Sequence, residues 1–132
     1  TALGFIAWFT GEEIVTQLKK FGVKEGFIRL REGLTRINVK VKASDEETEI
    51  NGRGPIIATD ELEALYKQLD ALTEKDTLIL AGSIPSSLPS DMYELIMERL
   101  QHKNIRIVVD ATKDLLTKVL PYKPFLIKPK EH

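Results

Sequence analysis

Thr77-Leu78-Ile79-Leu80-Ala81-Gly82-Ser83-Ile84-Pro85-Ser86 is the stretch on which the fold turns. Its first five residues make a mostly apolar run of strand length, and the small residues and proline after them end it before a helical pattern over residues 90–101 begins. Strand, tight loop and helix in that order are a βα unit. The same order recurs on either side. Upstream, the apolar run 2–7 leads into Thr10-Gly11-Glu12-Glu13, which reads as a capping box with Thr10 as N-cap and Glu13 reaching back. Ile14, Leu18 and Phe21 then share one helical face, and Gly22 is the stop signal. Downstream come a strand over 105–109, a short helix that Thr112 can cap and that runs to Leu120, and a last apolar run over 124–127. A further helix is expected over 60–72. Four apolar runs joined by helices predict a parallel sheet covered on both faces.

Between these layers the period changes. Thr35-Arg36-Ile37-Asn38-Val39-Lys40-Val41-Lys42 alternates strictly, so a strand here has one apolar and one polar face. With residues 27–31 before it, Glu32-Gly33 as a turn, and residues 47–50 after it, the expectation is a three-stranded antiparallel meander. Asn51-Gly52-Arg53-Gly54-Pro55 reads as a loop. No internal repeat or low-complexity segment is present.

The 132 residues suit one domain, with 42% hydrophobic and 30% charged residues, a globular composition. Nineteen basic against twenty acidic residues give a net charge of −1, which offers no broad field for nucleic acid or an anionic membrane. The lack of cysteine excludes disulfide and thiolate chemistry, and no apolar run approaches the roughly 20 residues of a membrane span. The chain opens on Thr1-Ala2-Leu3-Gly4-Phe5, with neither Met nor a basic segment ahead of an apolar one. The expectation is a cytoplasmic protein from which upstream sequence has been removed.

In an open parallel sheet, ligands bind beyond the carboxyl ends of the strands, where loops and helix starts present backbone N–H groups. Gly82-Ser83-Ile84-Pro85-Ser86-Ser87 could bring N–H groups and a hydroxyl to a phosphate or sugar, or be an ordinary turn. Asp110 could orient a metal-bound water, or serve the turn before the next helix. Lys128 could meet a nucleotide phosphate, or simply be solvated. On the polar face of the meander, Arg36 can fork two donors onto a phosphate and Asn38 can bond a sugar hydroxyl; a solvated face would look much the same. His102 and His132 have no partner at ligand or triad spacing, and His102 is most simply an exposed helix-end residue. No Gly-x-Gly-x-x-Gly opens a helix, which argues against a nucleotide-binding Rossmann module.

Taken together, Thr35-Arg36-Ile37-Asn38-Val39-Lys40, Glu47-Thr48-Glu49-Ile50-Asn51-Gly52, Ala81-Gly82-Ser83-Ile84-Pro85-Ser86 and Lys123-Pro124-Phe125-Leu126-Ile127-Lys128-Pro129 resemble the ribokinase-like (phosphofructokinase B) carbohydrate kinases. The resemblance covers essentially the whole chain. It implies an α/β, partial ribokinase-like fold with a parallel sheet flanked by helices and an antiparallel β lid. Residues 1–132 would be a central piece of the kinase domain, with lid strands at about 26–51. It also implies transfer of the γ-phosphate of ATP, with Mg²⁺, to a hydroxyl of a phosphosugar, and a homodimer through the lid strands. By position, Arg36 and Asn38 look like lid residues on the phosphosugar, Ser83 like the serine that meets its phosphate, and Asp110 and Lys128 like residues on the nucleotide and Mg²⁺ side.

The departures bear on activity. The Gly-Gly-Lys-Gly sugar stretch and the Gly-Ala-Gly-Asp segment that supplies the general base are not in this sequence, so the chain alone is expected to be inactive. Trp8 stands where the family has a second glycine, and Lys130 where it has asparagine. These two replacements favour a competing reading, a non-catalytic binding or assembly domain derived from the same scaffold.

Overall fold

The computed structural model describes residues 1–130, so His132 lies outside the described residues. The chain divides into two compact units, Thr1–Leu65 and Tyr66–His132.

In the first unit, β1 (Phe5–Ile6) leads into α1 (Trp8–Lys20), and the chain returns as β2 (Ile28–Arg29), which pairs parallel with β1. This corrects the expected three-stranded meander: the segment over residues 27–31 pairs with β1, not with the strand at 38–42. The backbone decides it, because Gly26, Ile28 and Leu30 donate their N–H groups to the carbonyls of Ala2, Gly4 and Ile6 at 2.8–2.9 Å. Leu30 is buried there. What remains of the meander is a two-stranded antiparallel hairpin, β3 (Asn38–Lys42) with β4 (Glu47–Asn51), pairing Asn38 with Asn51, Lys40 with Glu49 and Lys42 with Glu47 on its polar face. Val39 and Ile50 pair on the apolar face, where both are exposed.

The start of α1 also differs from the expectation. The helix begins at Trp8 with Ala7 as N-cap, and Thr10 does not cap it. The Thr10 hydroxyl instead donates to the Thr35 carbonyl (2.8 Å), and the Ala7 N–H donates to Thr35 Oγ1 (2.7 Å). A tertiary partner has taken the group that local pattern assigned to a cap. The buried face of α1 is Gly11 and Val15, while Phe21 is 80% exposed and Ile14 is also exposed. A Cβ on Gly11 would lie 2.7 Å from Ile6 Cβ, so glycine is what lets the helix seat on β1.

Trp8 has φ of +52° and is 71% exposed, with its ring edge-on to Phe9. A left-handed backbone costs a non-glycine residue about 1–2 kcal/mol. Little buried area offsets that here. Trp8→Gly is therefore expected to raise stability by about 0.5–1 kcal/mol after glycine's greater unfolded-state freedom is counted. Urea unfolding checks it: a higher midpoint at unchanged slope is expected, and a lower one would show that the indole contributes packing.

α2 (Thr59–Asp70) contains the boundary between the units. At its start the Glu61 carboxylate accepts the N–H groups of Ala58 (2.9 Å) and Arg31 (3.0 Å), and these bonds hold its pKa below the usual glutamate range.

The second unit carries a parallel sheet in the order β5 (Thr77–Ala81), β6 (Arg106–Ala111), β7 (Leu126–Pro129), with α3 (Met92–Leu100) between β5 and β6 and α4 (Lys113–Val119) between β6 and β7. Thr112 occupies the N-cap of α4 but makes no side-chain capping bond. Leu80, Ile107, Val109 and Ala111 form a buried sheet face with Met92, Ile96, Met97 and Leu100 of α3 and Leu116 and Val119 of α4. The opposite face is not covered, contrary to expectation: Ile79 is 62% exposed, and Leu126 is exposed too. Among the described residues no helix is long and apolar enough to cross a membrane.

Candidate functional site

Three of the five candidate residues come together at the carboxyl edge of the second unit's sheet. The ladder sets Ala81 beside Asp110 and Asp110 beside Lys128, and it continues through Gly82 N–H to the Asp110 carbonyl at 3.2 Å. Ser83 follows directly in the loop. Asp110 and Lys128 lie within the last residues of β6 and β7, and alternation turns both to the open face. Lys128 Nζ stands 3.4 Å from Asp110 Oδ2. The other oxygen, Oδ1, is buried with no hydrogen-bond partner among the described residues. An orphaned carboxylate oxygen beside an exposed ammonium suits a hydrated divalent cation and the phosphate that accompanies it.

The loop itself is held by a residue that the sequence reading missed. Gly82 has φ of +90°, a conformation that favours glycine, and the Tyr93 hydroxyl donates to its carbonyl at 2.8 Å. Burial, and secondarily the charge of Asp110, raise the Tyr93 pKa above its ordinary value, keeping the phenol a donor. In the sequence Tyr93 is one residue of the helical pattern over 90–101, a pattern that does not show where its hydroxyl reaches.

Arg36 and Asn38 lie in the first unit. Thr35, immediately before Arg36, is the residue clamped to the β1–α1 corner by the two side-chain bonds described above. Arg36 and Asn38 are exposed. Lys40 is paired with Glu49, which raises its pKa and lowers that of Glu49, and Lys42 lies 3.4 Å from Glu47. The cations farther out on the polar face are thus neutralised within the hairpin. The same unit has a cavity of about 560 Å³, with Arg31, Gly33, Arg53 and Pro55 in its wall. Asp60 grips Arg31 through two bonds of 2.6 and 2.8 Å. His102 is exposed in the 3-10 turn after α3, and no group of acidic or histidine side chains among the described residues is arranged as a metal cage.

The family model for pfkB family carbohydrate kinases matches residues 1–132. The chain belongs to that family. This pfkB chain is 48% identical over 131 residues to a 1-phosphofructokinase of Bacillus subtilis (strain 168), covering 99% of the chain and 43% of that protein. A D-tagatose-1-phosphate kinase of Bacillus licheniformis is 32% identical over 131 residues, again 99% of the chain and 42% of the relative. A solved structure from Staphylococcus aureus, assigned as a phosphofructokinase, superposes with a TM-score of 0.85 at 44% identity, covering 97% of this chain and 41% of that one. The fold is α/β and ribokinase-like. The chain spans under half the length of these relatives.

Proposed function

We propose that the chain is the lid-bearing part of a kinase that transfers the γ-phosphoryl group of ATP to fructose 1-phosphate, giving fructose 1,6-bisphosphate. The observation that carries this reading is the 48% identity to a 1-phosphofructokinase, sustained over 99% of the chain. A tagatose phosphate is the alternative sugar, favoured less because the corresponding relative is 32% identical. Arg36 and Asn38 bind the phosphosugar, and Ser83 meets its phosphate. Asp110 and Lys128 serve the nucleotide side, where the orphaned Asp110 Oδ1 and the Lys128 ammonium are the groups that fit Mg²⁺ and the ATP phosphates. Bound Mg²⁺ would neutralise charge on the phosphates; phosphoryl transfer otherwise asks the protein mostly for positioning and electrostatic stabilisation. The reading places the reaction in the cytoplasm.

The test is Arg36→Ala in a kinase that carries this chain, assayed by coupled ADP release. A lid arginine touches one substrate, so loss of its charge-assisted hydrogen bond should raise KM for fructose 1-phosphate by about 10–150-fold, the equivalent of roughly 1.5–3 kcal/mol. KM for ATP should hardly move. Equal losses for both substrates would sink the assignment.

We also infer a homodimer through the hairpin. Ile37, Val39 and Val41 are exposed on its apolar face with Ile50, itself 61% exposed. Burying side chains of this kind contributes about 1.5–3 kcal/mol each before association entropy is subtracted. Light scattering coupled to size exclusion should report a dimer for the chain and a monomer for Val39→Lys. A dimer untouched by the lysine would place the interface elsewhere.

A further inference from the structure

Three cross-strand pairs line the polar face of the hairpin, and one of them is unlike the others. The Gly52 N–H to Ile37 carbonyl bond (3.2 Å) and the Ala43 N–H to Glu46 carbonyl bond (2.8 Å) close the ladder at its two ends. Counting inward from either, Asn38 with Asn51, Lys40 with Glu49 and Lys42 with Glu47 fall at non-hydrogen-bonded positions. Side chains stand closest together at such positions. Both lysine rows are ion pairs and satisfy themselves.

The Asn38–Asn51 row is a pair of amides beside Arg36. Among the described residues Asn38 makes no side-chain hydrogen bond, and Asn51 makes one, a long bond that its amide nitrogen donates to Glu49 Oε2 at 3.4 Å. Two amides carry four N–H donors and two acceptor oxygens between them, the mixed set that hydroxyl groups need. Asn51 is also fixed in place. A Cβ on the next residue, Gly52, would lie 2.8 Å from the Ile37 carbonyl oxygen and 3.7 Å from Arg36 Cβ, so the backbone after Asn51 presses against the segment that carries Arg36.

We propose that Asn51 is a second sugar-binding amide, which takes one of two neighbouring hydroxyls of the phosphosugar while Asn38, directly across the ladder, takes the other. This rests on the phosphosugar reading of the hairpin and adds a residue to it. It assigns the Asn38–Asn51 row to the polyol part of the substrate, not to its phosphate, and makes it a determinant of which sugar is accepted.

The chain, ¹⁵N-labelled segmentally within a kinase that carries it and titrated with millimolar fructose 1-phosphate and separately with inorganic phosphate, tests it through side-chain amide resonances. The chain has three asparagines, and Asn104, in the turn after α3, is the internal reference. The Asn38 and Asn51 resonances should shift with fructose 1-phosphate and stay in place with phosphate, and Asn104 should not respond to either. Asn51→Ala should weaken the sugar-induced shift of Asn38 roughly 3–10-fold in apparent affinity, the size expected of one neutral hydrogen bond. Asn51→Gln, which keeps the amide, should recover part of that loss. Movement of Asn38 without Asn51 overturns the proposal and leaves the phosphosugar reading standing. No movement of either overturns both, and equal movement with phosphate alone overturns the assignment to hydroxyls.

Discussion

Gly33→Ala is expected to lower the stability of the chain by several kcal/mol. Gly33 has φ of +95°, and a Cβ built on it would sit 2.6 Å from Pro55 Cβ and 3.2 Å from Pro55 Cα. The proline ring is rooted in the backbone and cannot swing aside. Strain of that kind costs about 1–3 kcal/mol, and the overlap adds about 1–3 kcal/mol more. That is a large share of the roughly 5–15 kcal/mol by which a domain is ordinarily stable. Gly54, in the wall of the same cavity, is the control, because a Cβ there meets nothing within 4 Å and its φ is not in the left-handed region. Gly54→Ala should be near neutral, or stabilising by up to about 1 kcal/mol. Urea unfolding of the two variants should separate them clearly, and equal midpoints would mean that the 31–34 turn relaxes more easily than its packing suggests. Because that turn leads directly into Thr35 and Arg36, the proposed phosphosugar site predicts that a kinase carrying Gly33→Ala in this chain, if folded, has a raised KM for fructose 1-phosphate.

What the sequence made legible were features set by local pattern. The βα alternation around Thr77–Ala81, the strand after it and the alternating strand within residues 35–42 follow from periodicity, and the structure has all three, the last in a two-stranded hairpin and not in the expected three-stranded meander. Where the reading failed, a distant partner outbid a local one. Thr10-x-x-Glu13 satisfies every local rule for a capping box, yet Thr35, twenty-five residues on, takes the Thr10 hydroxyl. Residues 27–31 adjoin the hairpin in sequence, and nothing in their composition says that their N–H groups belong to β1. The apolar face of Ile14, Leu18 and Phe21 is not the one α1 buries, for a related reason: Gly11 carries no hydrophobic signal, and its value lies in having no side chain where Ile6 comes close.

The candidate site divides along the same line. Asp110 and Lys128 could be singled out because each lies near the end of an apolar run, but their being neighbours is a matter of strand register, which sequence does not print. The same holds for Asn51 across from Asn38. Tyr93 escapes a sequence reading because a helical pattern does not show where a side-chain hydroxyl reaches, and here it serves the Gly82 turn.

Leu100→Ala should be the most damaging substitution in the second unit. Leu100 is 1% exposed at the end of α3, and the residues buried with it in this unit include Ile96 and Met97 on the same helix and Val119, fully enclosed, on α4. Truncating a leucine so enclosed loses its transfer free energy and leaves a cavity, together worth about 2–5 kcal/mol depending on how far the surroundings collapse. Collapse is restricted here, because the chain turns at once through residues 101–103 and Asn104, whose φ of +53° continues that turn toward β6. Lys103 adds a second restraint, donating to the carbonyl oxygens of Asp70 (2.6 Å) and Leu72 (3.3 Å) and so tying the end of α3 to the end of α2. The loss should therefore fall in the upper half of the range. Ile79→Ala on the open sheet face removes a comparable aliphatic side chain but should cost about 0.5 kcal/mol or less, since that residue is mostly in water already. Urea midpoints of the two variants, compared at equal slope, decide the matter. If Ile79→Ala costs as much as Leu100→Ala, the open face is covered in solution, and a partner or a second copy of the chain must be covering it.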